Sequence, residues 1–556
     1  MASPKINPFF RLMPSMTDVA FLLPLTFLFG GLDGVRSMLG DGDTGWHVRT
    51  GEWILAHAQV PHVDVFSYTN AGRPWFAWEW LWDVGFALLH QRWGLAGVVL
   101  VSMAVLCTAS ALLYRLAYRR CGNALVAIGL TGLAAAGGSM HWLARPHLFT
   151  LLFLVVFLDV LDRAREGRTR LLWLLPALMI PWTNLHGAFF VGLLLVGCYA
   201  GGEAIQALVT RERAERIAAL KRMLPYAWTM AGCGLASLVN PYFYHLQGHI
   251  FEYLLDPFQM KYIVEFQSVN FQNISSLYLE AMLLLGLGAA VWYGRRKLYT
   301  EVVMILFWGH LALISARNIP IFMIVAAAVT ARPVVEWLGM LSAAPIANWL
   351  RALPGTLKEI GEELNPLEGP WRVHAIPVAA MALIALGMSS PQAGLKFKPR
   401  YDAKSYPEAA LGQLRRPGQR IFTHDEWGDY LLYQLSPQGT KVFVDGRSDF
   451  YGGKFEQEYI DVMNVKYDWQ QTLDKYGVDT ILLPVDAPLA GAVKETKRWR
   501  AIYDDGLAIV FRQAGERPGG MEQFSTSSTG GIGGPDFKIT AASNVNPKDH
   551  EFKTQE

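Results

Sequence analysis

Along the first 390 residues, apolar runs of 14 to 23 residues recur with few charges inside them, separated by short polar segments. A hydrocarbon core about 30 Å thick takes roughly 20 apolar residues of helix to cross. The runs at 17–39, 94–114, 123–140, 147–162, 171–184, 187–209, 223–240, 276–293, 301–316, 319–340 and 373–390 therefore predict about eleven membrane-spanning helices. The run 171–184 is short and carries Pro176 and Pro181, which predicts a broken or tilted helix whose freed backbone is covered by protein. Segment 77–92, AWEWLWDVGFALLHQR, holds Glu79 and Asp83 among its tryptophans. It reads as an amphipathic helix on the membrane surface rather than a further span. Lys5 and Arg11 precede the apolar stretch from Val19 to Leu32 with no small-x-small cleavage pattern after it, which predicts an uncleaved first membrane helix.

After residue 400 the pattern changes. Arg420–Thr423, Lys441–Val444 and Thr480–Leu483 read as strands, and Trp427–Gln434, Phe455–Val465 and Trp469–Tyr476 as helices. Trp499–Tyr503 and Leu507–Phe511 read as a closing pair. Strand–helix alternation predicts a small α/β domain over 400–513 with a largely parallel sheet. The strings THDEWGDY and VDGRSDFY follow two of its strands. They make His424, Asp425, Asp429, Asp445, Arg447 and Asp449 candidates either for sugar or peptide binding or for capping and turn chemistry. No nucleophile elbow and no phosphate loop occur there. The Gly- and Ser-rich stretch 514–556 is expected to be disordered.

Composition sharpens this division. Of the 556 residues 52% are hydrophobic and only 17% charged, below the quarter typical of soluble chains. The net charge of +2 comes from Lys and Arg in short loops between apolar runs, so it gives no reason to expect a nucleic-acid partner. Cys107, Cys121, Cys198 and Cys233 have no metal-ligand spacing and imply no disulfide framework. With the N-terminus cytoplasmic, the inner segments hold roughly three times as many Lys and Arg residues as the outer ones, a strong positive-inside bias. It places residues 400–556 outside, which for a bacterial inner (cytoplasmic) membrane is the periplasm.

That orientation gathers the unexpected polar residues on the outer side. The first outer loop, 40–93, carries Asp41, Asp43, His47 and Glu79; later helix ends carry Arg145 and His147 in HWLARPH and Asn184 and His186 in TNLHG. His245 and Glu265 lie in the fourth outer segment, and Arg317 in SARN. Polar groups at membrane depth are costly and tend to share a water-filled cavity, so one outer binding or active cavity is expected. An Asp just outside the membrane under apolar cover is suited to act as a general base toward an acceptor hydroxyl. A second carboxylate would orient it or hold a divalent cation.

The string GDTGWHVRTGEWILAHAQVPHVDVFSYTNAGRPWFAWEWL, with RPHLFTLLF, NLHGAFFVG, LVNPYFYHL and EFQSVNF, resembles a bacterial branch of the GT-C superfamily of membrane glycosyltransferases. Protein O-mannosyltransferases and the lipid A aminoarabinose transferase belong to that superfamily. The resemblance spans roughly residues 17–390. It implies a GT-C-like α-helical polytopic membrane protein with a small C-terminal α/β soluble domain. It also implies inverting transfer of a sugar from a polyprenyl-phosphate donor to a glycan, lipid or protein acceptor. Asp43 or Asp41 would be the base and Glu79 the second acidic residue, with Arg145, His186 or Arg317 near the phosphate. The acidic pairing of the family is not reproduced cleanly, because Asp41, Asp43 and the distant Glu79 allow several pairings.

Two other classes fit the apolar pattern: a transporter or flippase for a lipid-linked envelope precursor, and a non-catalytic envelope-assembly scaffold. No inverted repeat is apparent, and most spans have no charge at their centre, where alternating-access sites lie.

Overall fold

The computed structural model describes residues 12–345, 347–369 and 372–514, and these pack as one compact unit. Lys5 and Arg11 lie outside the described residues. So, beyond Ala514, does the stretch expected to be disordered.

The chain is mostly helical. α1 (Met16–Thr26) runs on through a wide turn to Gly31, and α2 (Asp43–His57) follows in the first loop. α3 (Trp80–Cys121), α4 (Ala124–Gly138), α5 (His147–Arg165), α6 (Leu174–Leu185) and α7 (Phe190–Val209) come next. α8 (Arg213–Ala236), α9 (His245–Leu255) and α10 (Pro257–Tyr262) lead to α11 (Ser276–Arg295) and α12 (Tyr299–Ile314). α13 (Ile319–Ala343), α14 (Asn348–Glu363) and α15 (Ala375–Ser389) complete this part.

Every segment predicted to span overlaps one of these helices, but the first, 17–39, breaks after Gly31 and ends in a separate 3-10 helix, Gly34–Leu39. Among the described residues five are long and apolar enough to cross a bilayer: Trp80–Cys121, Ala124–His141, Gly187–Val209, Ser276–Arg295 and Ala316–Ala343. Met16–Gly31, Tyr299–Ile314 and Ala375–Ser389 are apolar but shorter. The protein is thus a multi-pass membrane protein, and the number of crossings is not fixed at eleven.

Local chemistry explains the breaks. α3 bends at Gly94, whose φ of 61° and ψ of −157° interrupt the helical backbone in a region that residues with a Cβ rarely enter. The bend separates the Trp-rich segment before it from the apolar span after it. α1 begins with a capping box in which Asp18 N–H donates to Ser15 Oγ and Ser15 N–H donates to Asp18 Oδ2. At the end of the bundle remote from the site, Arg120 meets Asp162 through Nε and Nη2, both at 2.6 Å, and Tyr199 O–H donates to Asp162 at 2.7 Å. Arg165 pairs with Glu301 at 2.5 Å, so that α3, α5, α7 and α12 are pinned together there.

The sheet region has β1 (Ile421–Thr423), α16 (Asp425–Leu435), α17 (Ser448–Met463), α18 (Trp469–Lys475) and β2 (Thr480–Pro484). α19 (Pro488–Lys494), β3 (Trp499–Asp504) and β4 (Ala508–Gln513) follow. The strand order is β1-β2-β4-β3. Only β1–β2 is parallel; β2–β4 and β3–β4 are antiparallel, so the expectation of a largely parallel sheet is corrected. The short loop between β3 and β4 makes them a hairpin, and β4 then pairs back antiparallel to β2. The predicted strand Lys441–Val444 shrinks to single bridges, because Val442 lies between Ile421 and Ser67 of the first loop. The first loop therefore continues the sheet.

Candidate functional site

α2 starts where the first loop leaves α1. Asp43 N–H donates to Asp41 Oδ1 at 2.7 Å, and both carboxylates stand at the positive end of the helix. The turn before α5 brings Arg145 against them. Its Nη1 is 2.7 Å from Asp41 Oδ2, its Nη2 pairs with Asp43, and Nη1 lies 3.7 Å from Glu265. Glu265 also meets Arg317 Nε at 3.3 Å and lies 4.0 Å from His141. Five of the predicted residues (Asp41, Asp43, Arg145, Glu265 and Arg317) thus form one chain of charges.

A second group lies beside the first. His47 Nδ1 is 2.7 Å from Asp83 Oδ1, and its Nε2 is 3.6 Å from Glu79. His186 Nε2 is also 3.6 Å from Glu79, while His186 Nδ1 is hydrogen-bonded to Thr150 at 2.8 Å. His147 Nε2 reaches the His141 carbonyl at 2.5 Å, and its ring lies 6.4 Å from that of His186. The imidazole of His47 stacks on Trp46, ring centres 3.6 Å apart, and Trp46 donates to Asp43 at 3.2 Å. One aromatic layer therefore joins the two groups.

Two predicted residues stand apart. Asn184 accepts from Trp80 at 2.7 Å and donates to the carbonyls of Ile180 and Val239, which commits its amide to packing. His245 is exposed and lies tilted against the Tyr244 ring, centres 4.1 Å apart. One helical turn later His249 faces the sheet region instead, 3.0 Å from Asp449.

Burial sets the electrostatics. It pushes the Asp43 carboxyl up to about 7 against the opposing pull of Arg145, and Glu79 up to about 8. Burial holds His47 and His186 well below the usual imidazole range, with Arg145 and His147 respectively adding to it, so both rings are neutral near pH 7. Burial acts against Glu265 as well, yet Arg317 and Arg145 hold it down at about 2. The site thus keeps an ionised Glu265 among arginines and, separately, a carboxyl balanced near neutrality at Asp43.

The sheet region closes over Asp43. Asp429 of α16 accepts the Gly446 N–H at 2.9 Å, and a Cβ at position 446 would run into Asp43 Oδ1 and Asp429 Oδ2. Only glycine allows that approach. Burial, with Asp43 next to it, pushes the Asp429 carboxyl well above the usual carboxylate range. Asp429 and Gly446 lie in the two polar strings of the sequence, but nothing in those strings alone pointed to Asp43 as their partner.

The divalent cation considered for the acidic pair does not suit this arrangement. Arg145 occupies the space between Asp41 and Asp43, and among the described residues no group of three or more His, Cys, Asp or Glu side chains has a geometry that would hold a metal ion.

No protein-family model matches the chain. No curated protein matches it either. Solved structures do. The apo crystal structure of the Archaeoglobus fulgidus oligosaccharyltransferase superposes with a TM-score of 0.52 at 11% identity, over 85% of this chain and 69% of that one. The archaeal oligosaccharyltransferase from the same organism, in complex with an inhibitory peptide and a dolichol-phosphate, gives a TM-score of 0.49 at 12% identity, over 90% and 74%. The likeness is one of fold: this chain folds like the Archaeoglobus fulgidus oligosaccharyltransferase.

Proposed function

We propose that this protein is an inverting membrane glycosyltransferase that moves a sugar from a polyprenyl-phosphate-linked donor to an acceptor on the outer face of the membrane. The reading includes an inner-membrane location in a bacterium, with residues 1–390 as the membrane part and 400–513 as a periplasmic α/β domain. The observation that carries it is Asp43, a buried carboxyl paired with Arg145 and balanced near neutral pH at the start of α2. The oligosaccharyltransferase fold supports it.

In this reading ionised Asp43 takes the proton of an acceptor hydroxyl as that oxygen attacks the anomeric carbon. The carbon–oxygen bond to the lipid phosphate breaks with inversion, and the electron pair leaves with the phosphate. General-base assistance of this kind is typically worth about 10²–10⁴-fold. Arg145 is already shared among Asp41, Asp43 and Glu265, which suits it to orient the base. Arg317 has 39% of its side chain exposed and contacts Glu265 and the Phe266 ring, which suits it to meet the lipid phosphate. Glu79, between His47 and His186, would supply a second, largely protonated carboxyl near pH 7.

The test incubates purified protein in lipid nanodiscs with a polyprenyl-phosphate-linked sugar and a membrane extract, and follows release of polyprenyl phosphate and labelling of acceptor by mass spectrometry. Release coupled to acceptor labelling is expected. Movement of intact donor between leaflets, with no release, would overturn the reading in favour of a flippase.

A further inference from the structure

The seam between the first loop and the sheet region is built around one buried guanidinium. Arg447 is fully buried, with Nε and Nη2 each 2.7 Å from an oxygen of Asp445 and Nη2 also 2.8 Å from Asp64. Its Cζ lies 4.5 Å from the Trp75 ring and 5.0 Å from the Phe450 ring. Tyr451 O–H donates to Asp445 at 2.8 Å, and Asp64 accepts from Ser67 N–H and Ser67 O–H at 2.9 and 2.7 Å. Asp64, Trp75 and Ser67 belong to the first loop; Asp445, Phe450 and Tyr451 belong to the sheet region. A planar fork that serves two carboxylates from different segments fixes their separation and their orientation together.

Around this fork the backbones pair. Val442 N–H donates to the Phe66 carbonyl at 3.2 Å, Tyr68 N–H to the Val442 carbonyl at 3.1 Å, and Thr69 O–H to the Phe443 carbonyl at 2.6 Å. The residue immediately before Arg447 is Gly446, which lies against Asp43 and donates to Asp429. Three links therefore run in sequence from the fork to the carboxyl: Arg447 holds Gly446, Gly446 holds Asp429, and both cover Asp43.

We propose that Arg447 is a positioning residue: its clasp on Asp64 and Asp445 docks the sheet region on the first loop, so that the cover over Asp43 exists only in the docked state. This rests on the base role proposed for Asp43. Arg447 is too deeply enclosed to meet substrate, and it acts through Gly446 and Asp429. Undocking opens Asp43 to water and removes the wall against which an acceptor would be held. A misplacement of about 1 Å around reacting atoms typically costs about 100-fold in rate.

The test uses full-length protein in nanodiscs, as Arg447→Met, and as Arg447→Met combined with Ser67→Cys and Val442→Cys. Ser67 and Val442 are partners in a parallel bridge, one from the first loop and one from the sheet region. Two readouts are taken: carbodiimide labelling of Asp43 and Asp429 by mass spectrometry, and steady-state transfer. Arg447→Met is expected to raise labelling of both aspartates severalfold and to lower kcat by about 100-fold, with donor KM within threefold of wild type. The oxidised double-cysteine protein should recover protection and most of kcat, and reduction should abolish that recovery. A purely structural role would not be restored by one re-made tether. Should Arg447→Met fail to accumulate, Asp64→Asn keeps the shape while removing one carboxylate, and its labelling and kcat should move in the same directions. Unchanged labelling in the single variant, or no recovery on oxidation, overturns the proposal. Labelling is read without turnover, so a wild-type protein with no transferase activity would sink the base role while the docking result still stands.

Discussion

Arg145 Nη1 lies 2.7 Å from Asp41 Oδ2, although 104 positions separate the two residues along the chain. That contact joins the start of α2 to the turn before α5. It is what turns two unremarkable helix ends into one site. Asp41, Asp43 and Glu265 all share this guanidinium, so it does more for the ground-state structure than a simple phosphate ligand would.

Replacing Arg145 should therefore cost both stability and activity. Arg145→Met strands carboxylates that are largely enclosed, and breaking such pairs costs about 2–4 kcal/mol once partial solvent access is allowed for. Arg145→Lys keeps the charge and loses the fork; its fold should survive, with transfer down about 100-fold. Thermal unfolding and transfer assays on both variants read this. A stable, fully active Met variant would remove Arg145 from the account.

The rate should respond to pH in a defined sense. Asp43 must be ionised to accept a proton, and burial places its ionisation at about 7. In kcat/KM the acid limb should rise about tenfold per pH unit below 7 and flatten above it. A profile flat from pH 5 to 8 would contradict the assignment.

Glu79 gives a stability test with a worked sign. Burial raises it from 4.5 to about 8 in the folded protein. Below pH 4.5 folded and unfolded chains are both protonated there. As pH rises toward 8 the unfolded chain ionises first, so this carboxyl's contribution is progressively lost. Glu79→Gln removes that loss and should gain on the order of 2 kcal/mol relative to wild type at pH 8.5, and much less at pH 5. A gain equal at both values would show that Glu79 is already ionised in the folded state.

Arg317 offers a cleaner view of donor binding, because 39% of its side chain is exposed. Arg317→Ala should raise donor KM about tenfold with a smaller change in kcat, the loss of one charge-assisted contact to phosphate. Donor titration at saturating acceptor checks it. A kcat effect with unchanged KM would move Arg317 into the chemistry.

Much of this site was legible in the sequence because its residues interrupt apolar runs. Asp41 and Asp43 end one, Arg145 precedes another, and a charge at membrane depth has to be answered by a partner. The answering partner was not legible, since an ion pair such as Arg145–Asp41, across 104 positions, depends on how helices pack. Arg447 shows the same limit: its string, VDGRSDFY, left binding and turn chemistry both open, and nothing in it pointed to Asp64 as its partner. His245 and His249 differ by one helical turn, and only the packing of α9 decides which of them faces Asp449. In the sheet, Lys441–Val444 has the composition of a strand, but the place beside Val442 is taken by Ser67 of the distant first loop.

Asp43 carries the central claim, and one conservative substitution tests it most directly. Asp43→Asn preserves size and the hydrogen bond from Trp46 while removing the proton acceptor. Transfer from a radiolabelled polyprenyl-phosphate sugar, measured in membranes lacking the wild-type protein, should fall by at least about 100-fold. Insertion and donor binding should be unchanged. Wild-type turnover by the Asp43→Asn protein would contradict the account and remove Asp43 as the base.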